Sequence, residues 1–383
     1  MAGLYIHIPF CKSRCIYCGF YSTTLLTWRD RYVDALCKEM ALRPASSPLS
    51  TIYLGGGTPS LLTPRQLERL FLNINKVYGC NPLSADKDSI PMEITIECNP
   101  DDITPEFAKD LAQLPVNRVS MGAQTFNDDR LRFLRRRHNS QQISLAMQRL
   151  RQAGIGNVSI DLMFGFPQET LEEWETDIRQ ALSLQPDHIS AYSLMYEEGT
   201  PLYDLKARSQ YQEDGGGVTP VDEETELHMY SLLTDRLAAA GYEHYEISNW
   251  ARPGYRSRHN SSYWQGVPYI GIGAAAHSFD LLTRSWNVSN LFQYMKHIEQ
   301  GQLPSEQETL DDDTRYNDLI TTALRTCEGI CLDQIEEKYR SYLLDNAQSS
   351  LTHGLLTIDN GRIRLTRQGL FVSDDVMSDL IYV

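Results

Sequence analysis

Up to about residue 200, short apolar runs rich in β-branched residues alternate with longer stretches whose apolar residues recur at helical spacing. The short runs predict buried strands, and the longer stretches predict amphipathic helices. The strands are expected at residues 4–8, 51–54, 93–96, 118–122, 158–163 and 189–194. The helices are expected at residues 30–42, 65–78, 106–113, 140–153 and 171–184.

About six successive strand-then-helix units predict an α/β fold with a parallel sheet and helices outside it. Six units are too few for a complete eight-stranded barrel. A partial (β/α)6 barrel and a doubly wound sheet therefore both remain candidates. In either architecture, the chemistry lies beyond the carboxyl ends of the strands.

The pattern changes beyond residue 200. Residues 205–225 are polar and contain three successive glycines at 215–217, which predicts a mobile surface loop. From about residue 310, helical stretches at 313–324, 332–344 and 370–380 surround two short strands, 353–358 and 362–366. The strands meet at Asp359-Asn360-Gly361, a hairpin signal. We expect three domains: 1–205, 206–305, and a winged-helix-like α+β domain at 306–383.

Composition and charge limit the partners. The chain has 383 residues and a formal net charge of −15, which disfavours nucleic-acid binding through phosphate contacts, and acidic residues in the predicted winged-helix-like domain point the same way. The same charge disfavours a general anionic membrane surface, so membrane contact is expected only through partner proteins. No apolar run approaches the ~18 residues of a membrane span. We expect a cytoplasmic protein.

Cys11, Cys15 and Cys18 form a C-x3-C-x2-C run directly after the first predicted strand. Three thiolates this close together can converge on one metal centre. A [4Fe–4S] cluster held by three cysteines keeps one iron open, whereas a structural zinc site would need a fourth ligand. The other five cysteines, Cys37, Cys80, Cys98, Cys327 and Cys331, are interpreted as small buried residues.

Polar residues also follow or end the next four predicted strands. A glycine-rich run, Gly55-Gly56-Gly57-Thr58-Pro59, follows the second strand, and glycines there allow backbone groups to approach a ligand closely. Glu97, Gln124 and Asp161 lie at or near the ends of the third, fourth and fifth strands. Carboxylates there could neutralise a cationic ligand. Five polar features at five successive strand ends predict one shared site.

The cysteine run resembles that of the radical S-adenosylmethionine (SAM) family. The runs at residues 5–11, 55–60, 97–100, 118–124 and 161–167 resemble its coproporphyrinogen III oxidase-like branch. The resemblance implies a radical SAM partial barrel in which Cys11, Cys15 and Cys18 hold a [4Fe–4S] cluster and SAM binds the open iron. It also implies that the SAM-binding residues are Tyr5, Gly56, Gly57, Thr58, Glu97, Gln124, Arg136 and Asp161.

Two features favour the haem-chaperone branch of that family over the oxidase. Phe20 stands where the oxidase carries a fourth cysteine, and the run 259–264 matches the HNxxYW motif of the HemW-type chaperones. The resemblance implies that haem is carried as cargo and passed to an acceptor protein. His259 is the expected haem ligand, since a neutral imidazole is a natural axial ligand. His277, in a second similar run, is a weaker candidate.

Two alternatives remain open. The first is an enzyme that oxidatively decarboxylates coproporphyrinogen III, and its missing fourth cysteine predicts no turnover. The second is a binding protein that uses the cysteine triplet for zinc. Gly19 also departs from the family, where an Asp is common at this position.

Overall fold

The structure, a computed structural model, describes residues 1–45, 47–80, 91–211 and 217–383. Within these residues a large sheet contains twelve strands and a second sheet three. The strands of the large sheet are β1 (Ala2–Ile8), β2 (Leu49–Gly56), β3 (Glu93–Cys98), β4 (Arg118–Gln124), β5 (Asn157–Phe164), β6 (His188–Ser193), β7 (Glu243–Glu246), β8 (Asn249–Ala251), β9 (Tyr269–Ile272), β10 (His277–Phe279), β11 (Thr283–Asn287) and β12 (Ser305–Thr309). The small sheet contains β13 (Ile330–Cys331), β14 (Leu356–Asp359) and β15 (Arg362–Leu365).

The helices alternate with the first six strands as the sequence predicts. Thr63 and Thr170 begin two of them with capping boxes, in which the threonine hydroxyl and the third helical side chain satisfy free backbone amides. The helices are α1 (Arg29–Leu42), α2 (Pro64–Tyr78), α3 (Pro105–Leu111), α4 (Asp128–Phe133), α5 (Ser140–Gln152), α6 (Leu171–Ser183), α7 (Pro201–Tyr211), α8 (Glu223–Ala239), α9 (Arg258–Trp264), α10 (Leu291–Glu299), α11 (Asp312–Ala323), α12 (Glu337–Asn346), α13 (Gln348–Thr352), α14 (Arg367–Leu370) and α15 (Ser373–Asp379).

The strand order decides between the two predicted architectures. Strands β1 to β6 are parallel and lie side by side in chain order, with no reversal. A doubly wound sheet reverses its strand order at a switch point, whereas right-handed crossovers in one direction place all helices on one face. The partial (β/α)6 barrel is thus confirmed.

Additional strands extend both edges of this barrel. Strand β9 pairs with β1 in parallel, and β10, β11 and β12 continue the sheet as an antiparallel meander. Strands β8 and β7 are added antiparallel beyond β6. Strand β12 spans the expected domain boundary at residues 305 and 306, so the large sheet continues past it.

Alternation along the strands separates two faces of the barrel sheet. On β1, Leu4, Ile6 and Ile8 are fully buried against the helices, while Tyr5 and His7 point to the opposite, inner face. The main core is therefore between the sheet and its outer helices. The inner face carries polar and aromatic side chains.

A separate apolar core lies in the C-terminal region. It includes Tyr316, Ile320, Leu343, Leu356 and Ile363, which come from helices and from the small sheet. The hairpin β14–β15 forms at the predicted Asp359-Asn360-Gly361 turn, where Asn360 and Gly361 both have positive φ. Positive φ at both central residues is what this turn type requires.

One prediction needs correction in this region. Residues 205–225 were expected to form a loop, but α7 extends to Tyr211 and α8 begins at Glu223. Most of the predicted glycine tract, residues 215 and 216, lies outside the described residues. Among the described helices, none combines the length and apolar character needed to cross a membrane.

Candidate cluster and ligand site

A cavity of about 640 Å³ lies at the carboxyl ends of the parallel strands. Residues from the ends of β2 to β6 and from the loop after β1 line it, so the strand-end prediction brings the expected features together. The sequence-predicted residues among its lining are Cys11, Cys15, Cys18, Gly56, Gly57, Thr58, Glu97, Gln124, Arg136 and Asp161.

The three cysteines are free thiols, each partly exposed to the cavity. The Thr58 hydroxyl donates to Cys11 Sγ at 3.6 Å, and Arg136 Nη1 donates to Cys15 Sγ at 3.6 Å. Burial raises the pKa of Cys11 and of Cys18. A metal that binds these thiols must therefore displace their protons.

The three thiols in this cavity supply the protein ligands of a three-cysteine iron–sulfur cluster. Among the described residues, no group of three or more His, Cys, Asp or Glu side chains is arranged to hold one metal ion. A zinc ion requires its ligands to meet at one point, whereas a four-iron cluster takes each thiolate on a different iron. Three thiols that face one cavity fit a [4Fe–4S] group, which would keep one iron open for another ligand.

The glycine-rich run packs directly beneath the cysteine loop. An ideal Cβ on Gly57 would lie 2.8–2.9 Å from backbone atoms of Ile8, Pro9 and Phe10, and the Gly57 amide donates to the Ile8 carbonyl at 2.9 Å. Gly56 has a φ of +110°, which favours glycine. Only glycines allow this run to approach the cysteine loop so closely.

Two carboxylates face the cavity from β3 and β5, which lie on either side of β4. Glu97 accepts hydrogen bonds from the Tyr53 hydroxyl at 2.8 Å and from the Gly56 amide at 3.0 Å, and burial raises its pKa to about 7. Asp161 accepts from the Ser120 hydroxyl at 3.2 Å, and burial raises its pKa too. Burial thus disfavours the ionised form of each carboxyl group. A bound cation would stabilise the ionised carboxylates.

Arg136 is held at the edge of the cavity by oxygen acceptors. Its Nη2 donates to Asn99 Oδ1 at 2.6 Å and to the Gly122 carbonyl at 2.5 Å. Its Nε is buried and has no partner within the described residues. A buried donor without an acceptor is costly, and a carboxylate in the cavity could satisfy it.

Gln124 and Tyr5 differ in where the structure places them. Gln124 lines the cavity with a φ of +70°, a rare value for a residue with a side chain. Tyr5 does not line the cavity. Its hydroxyl is 3.0 Å from His7 Nδ1, and its ring stacks on Tyr53, which does line the cavity. The expected role of Tyr5 in SAM binding stays a prediction.

His259 also lies away from the cavity, on α9. Its Nδ1 is 2.8 Å from the Thr51 hydroxyl and its Nε2 is 2.8 Å from the Tyr263 hydroxyl. The side chain is 1% exposed and stacks on Tyr53 with ring centroids 5.0 Å apart, and burial lowers its pKa to about 3. Because both ring nitrogens have partners, His259 would have to give up one of these hydrogen bonds to coordinate iron.

Several residues of the site were missed by the sequence analysis. The side chains of Tyr53 and Ser120 line the cavity, two residues before Gly55 and Gly122. Because residues two apart on a strand point to the same face, the alternation along the strand could have found them. Asn99 follows β3 and donates to the Thr58 hydroxyl at 3.3 Å. Of the other cysteines, Cys98 is buried in the cavity wall, but Cys327 is exposed, contrary to expectation.

The comparisons with known proteins agree with this geometry. The Radical SAM superfamily model matches residues 5–181, and the HemN C-terminal domain model matches residues 310–372. The chain is 34% identical to Heme chaperone HemW of Bacillus subtilis (strain 168) over 98% of both chains. The chain belongs to the HemW family. The HemW protein of Lactococcus lactis subsp. lactis (strain IL1403) is 33% identical over 98% of this chain and 96% of its own.

The fold of this HemW family member is that of a solved radical SAM enzyme. Coproporphyrinogen III oxidase (HemN) from Escherichia coli superposes with a TM-score of 0.82, over 99% of this chain and 90% of its own. The two sequences are 24% identical, so this match shows the fold alone. Membership of the radical SAM superfamily implies a [4Fe–4S] cluster and SAM, and the cavity described above has residues that fit both.

Proposed function

We propose that this chain is a haem chaperone that binds a [4Fe–4S] cluster and SAM in its cavity and passes haem to an acceptor protein. The full-length similarity to HemW proteins carries this proposal. When bound, a reduced cluster supplies the electron for reductive cleavage of SAM. The protein's contribution is to bind, orient and exclude water from these groups.

The cavity residues divide this work. Cys11, Cys15 and Cys18 would hold the cluster, and the backbone of Gly56 and Gly57 would lie against the methionyl part of SAM. The remaining polar residues would hold the two ends of the SAM molecule. Arg136 would pair with the SAM carboxylate, Glu97 and Asp161 would neutralise its cationic groups or accept from ribose hydroxyls, and Gln124 would donate and accept hydrogen bonds.

A transfer assay tests the proposed function. The protein would be reconstituted with iron and sulfide without oxygen, loaded with haem, separated from free haem and mixed with apomyoglobin as a generic haem acceptor. We expect a haem absorption band in the loaded protein and its loss to the globin, with no oxidation of coproporphyrinogen III. Coproporphyrinogen turnover without haem retention would instead establish the oxidase function.

The raised pKa of Glu97 predicts a pH dependence of SAM binding. Because the ionised carboxylate attracts a cation and its pKa is about 7, SAM affinity should fall as the pH is lowered from 8 to 6. Each pH unit below the pKa should cost up to about tenfold. Calorimetric titration of the reconstituted protein across this range measures the effect.

The matched variant for this test is Glu97→Gln. It keeps the size and the acceptor oxygen of the side chain but does not titrate, so the ligand's own titration is common to both proteins. Arg118 and Asp161 also face Glu97, and both charges remain in the variant. A pH profile that is the same in both proteins would show that Glu97 does not contact the cation.

A further inference from the structure

The haem iron requires an imidazole with a free nitrogen, which most of the buried histidines do not offer. His7, His188 and His259 each have both ring nitrogens within hydrogen-bond distance of a partner. His277 on β10 differs, because its side chain is exposed. Desolvation and the nearby Arg284 lower its pKa, and no hydrogen bond within the described residues contributes to that shift.

An aromatic surface adjoins this imidazole. Trp286 on β11 is the direct cross-strand partner of His277, with ring centroids 6.2 Å apart and an angle of 31° between the ring planes. Phe279 lies two residues further on β10, on the same face and about 7 Å along the strand. Its ring centroid is 6.2 Å from that of Tyr269 on β9. Together His277, Trp286, Phe279 and Tyr269 form the β10–β11 face.

The β10–β11 face lies beside the cysteine loop. Strand β9 alone separates β10 from β1 in the sheet, and the charge of His277 contributes to the lowered pKa of His7 on β1. His7 Nε2 is 3.0 Å from the carbonyl of Tyr21, three residues after Cys18. A ligand on the β10–β11 face would therefore sit close to the mouth of the SAM cavity, where a cluster or SAM could influence its release.

We propose that His277 is an axial ligand of the haem iron and that the macrocycle packs on the β10–β11 face. This assignment rests on the proposed haem binding and moves the ligand from His259 to His277. The lowered pKa keeps the imidazole neutral at pH 7, as coordination requires. The partly exposed indole of Trp286 supplies apolar and π contacts to one side of the porphyrin.

The contacts of the two histidines explain why the two positions differ. For His259 to bind iron, its ring must give up hydrogen bonds to Thr51 and Tyr263 and its stacking on Tyr53. For His277 to bind iron, no protein hydrogen bond within the described residues must break. The cost of reaching the bound state is therefore lower at His277.

Haem titrations of four proteins test the assignment by visible absorption and by the spectrum of low-spin, imidazole-ligated iron. The proteins are the wild type, His277→Ala, His259→Ala and His297→Ala. His297 is a partly exposed histidine on α10, so it controls for loss of a surface imidazole. Iron and sulfide content after reconstitution is measured for each protein to show that the cluster site remains.

We expect His277→Ala to bind haem at least tenfold more weakly and to lose the imidazole-ligated spectrum, while the cluster is retained. Added free imidazole should restore that spectrum, which a merely structural defect would not allow. His297→Ala should match the wild type, and His259→Ala should be less stable but keep the ligated spectrum when folded.

Three other outcomes overturn the assignment, and they separate it from the proposed function. If His277→Ala binds haem like the wild type, this site is wrong and the chaperone function stands. If folded His259→Ala alone loses the ligated spectrum, the ligand is His259. If the wild type retains no haem, the proposed function fails, and this site fails with it.

Discussion

Replacing Cys15 with Ser should abolish assembly of the [4Fe–4S] cluster. The thiol is one of three that face the cavity, and Arg136 donates a hydrogen bond to it at 3.6 Å. Losing a group that only supports a metal ligand costs roughly 10–100-fold in metal affinity, and losing the ligand itself costs more. Iron and sulfide analysis after anaerobic reconstitution measures the loss. Cys11→Ser and Cys18→Ser should behave in the same way.

Cys98→Ser is the matched control for this prediction. Cys98 lines the same cavity, but it is buried in the wall at the end of β3 and lies outside the triplet. The variant should therefore assemble a normal amount of cluster. Equal iron contents in Cys15→Ser and Cys98→Ser would remove the triplet from its proposed role, provided that circular dichroism shows both proteins folded.

Replacing Glu39 with Ala should destabilise the fold by about 3–5 kcal/mol, the cost of breaking a buried ion pair. Glu39 is fully buried on α1 and accepts from Arg43 Nε at 2.9 Å and from the Tyr294 hydroxyl at 2.6 Å. It also accepts from the Gly273 amide at 2.8 Å and from Asn287 Nδ2 at 2.7 Å. Its removal leaves four donors, one of them charged, without their acceptor.

Urea unfolding of Glu39→Ala and of Glu299→Ala measures this effect. Glu299 on α10 forms an ion pair with Arg31 on α1, but both side chains are substantially exposed. Such surface pairs contribute about 0–1 kcal/mol, so Glu299→Ala should unfold close to the wild-type midpoint. Equal unfolding free energies for the two variants would contradict the buried network.

The Glu39 network also has a consequence for the proposed haem site. Gly273 precedes β10 and Asn287 ends β11, and both donate hydrogen bonds to Glu39 on α1. A folded Glu39→Ala protein should therefore bind haem more weakly, since the strands that carry His277 and Trp286 lose this attachment. The cluster site, on the other side of β1, should be affected less.

Local patterns determined the strands and helices of the barrel and the strand ends that carry its polar residues. Each of the six predicted strands and five predicted helices is present, with ends that shift by only a few residues. Apolar periodicity reports burial on one or two faces, and burial is what selects these elements. The cavity followed from the rule that strand ends meet, which is why Glu97, Gln124 and Asp161 were found together.

The sequence did not decide the architecture or the state of individual side chains. A partial barrel and a doubly wound sheet use the same local units, and only the pairing order of β1 to β6 separates them. The same limit applied to the loop expected at 205–225, where helices extend into both ends. A polar segment is expected to be exposed, but its polarity does not show whether it continues a helix.

The histidines show this division most clearly. The HNxxYW motif made His259 a candidate haem ligand, because a motif specifies only residue types. In the structure, the imidazole of His259 is hydrogen-bonded to Thr51 on the distant strand β2 and to Tyr263 of the same motif. His277 was the weaker candidate, and the sheet leaves its ring exposed beside Trp286. The sequence by itself determined the family, the strands and helices of the barrel and the cysteine triplet after its first strand, because these depend on local spacing. Only the tertiary structure decided which nitrogen is free to bind, because that depends on contacts between residues far apart in the chain.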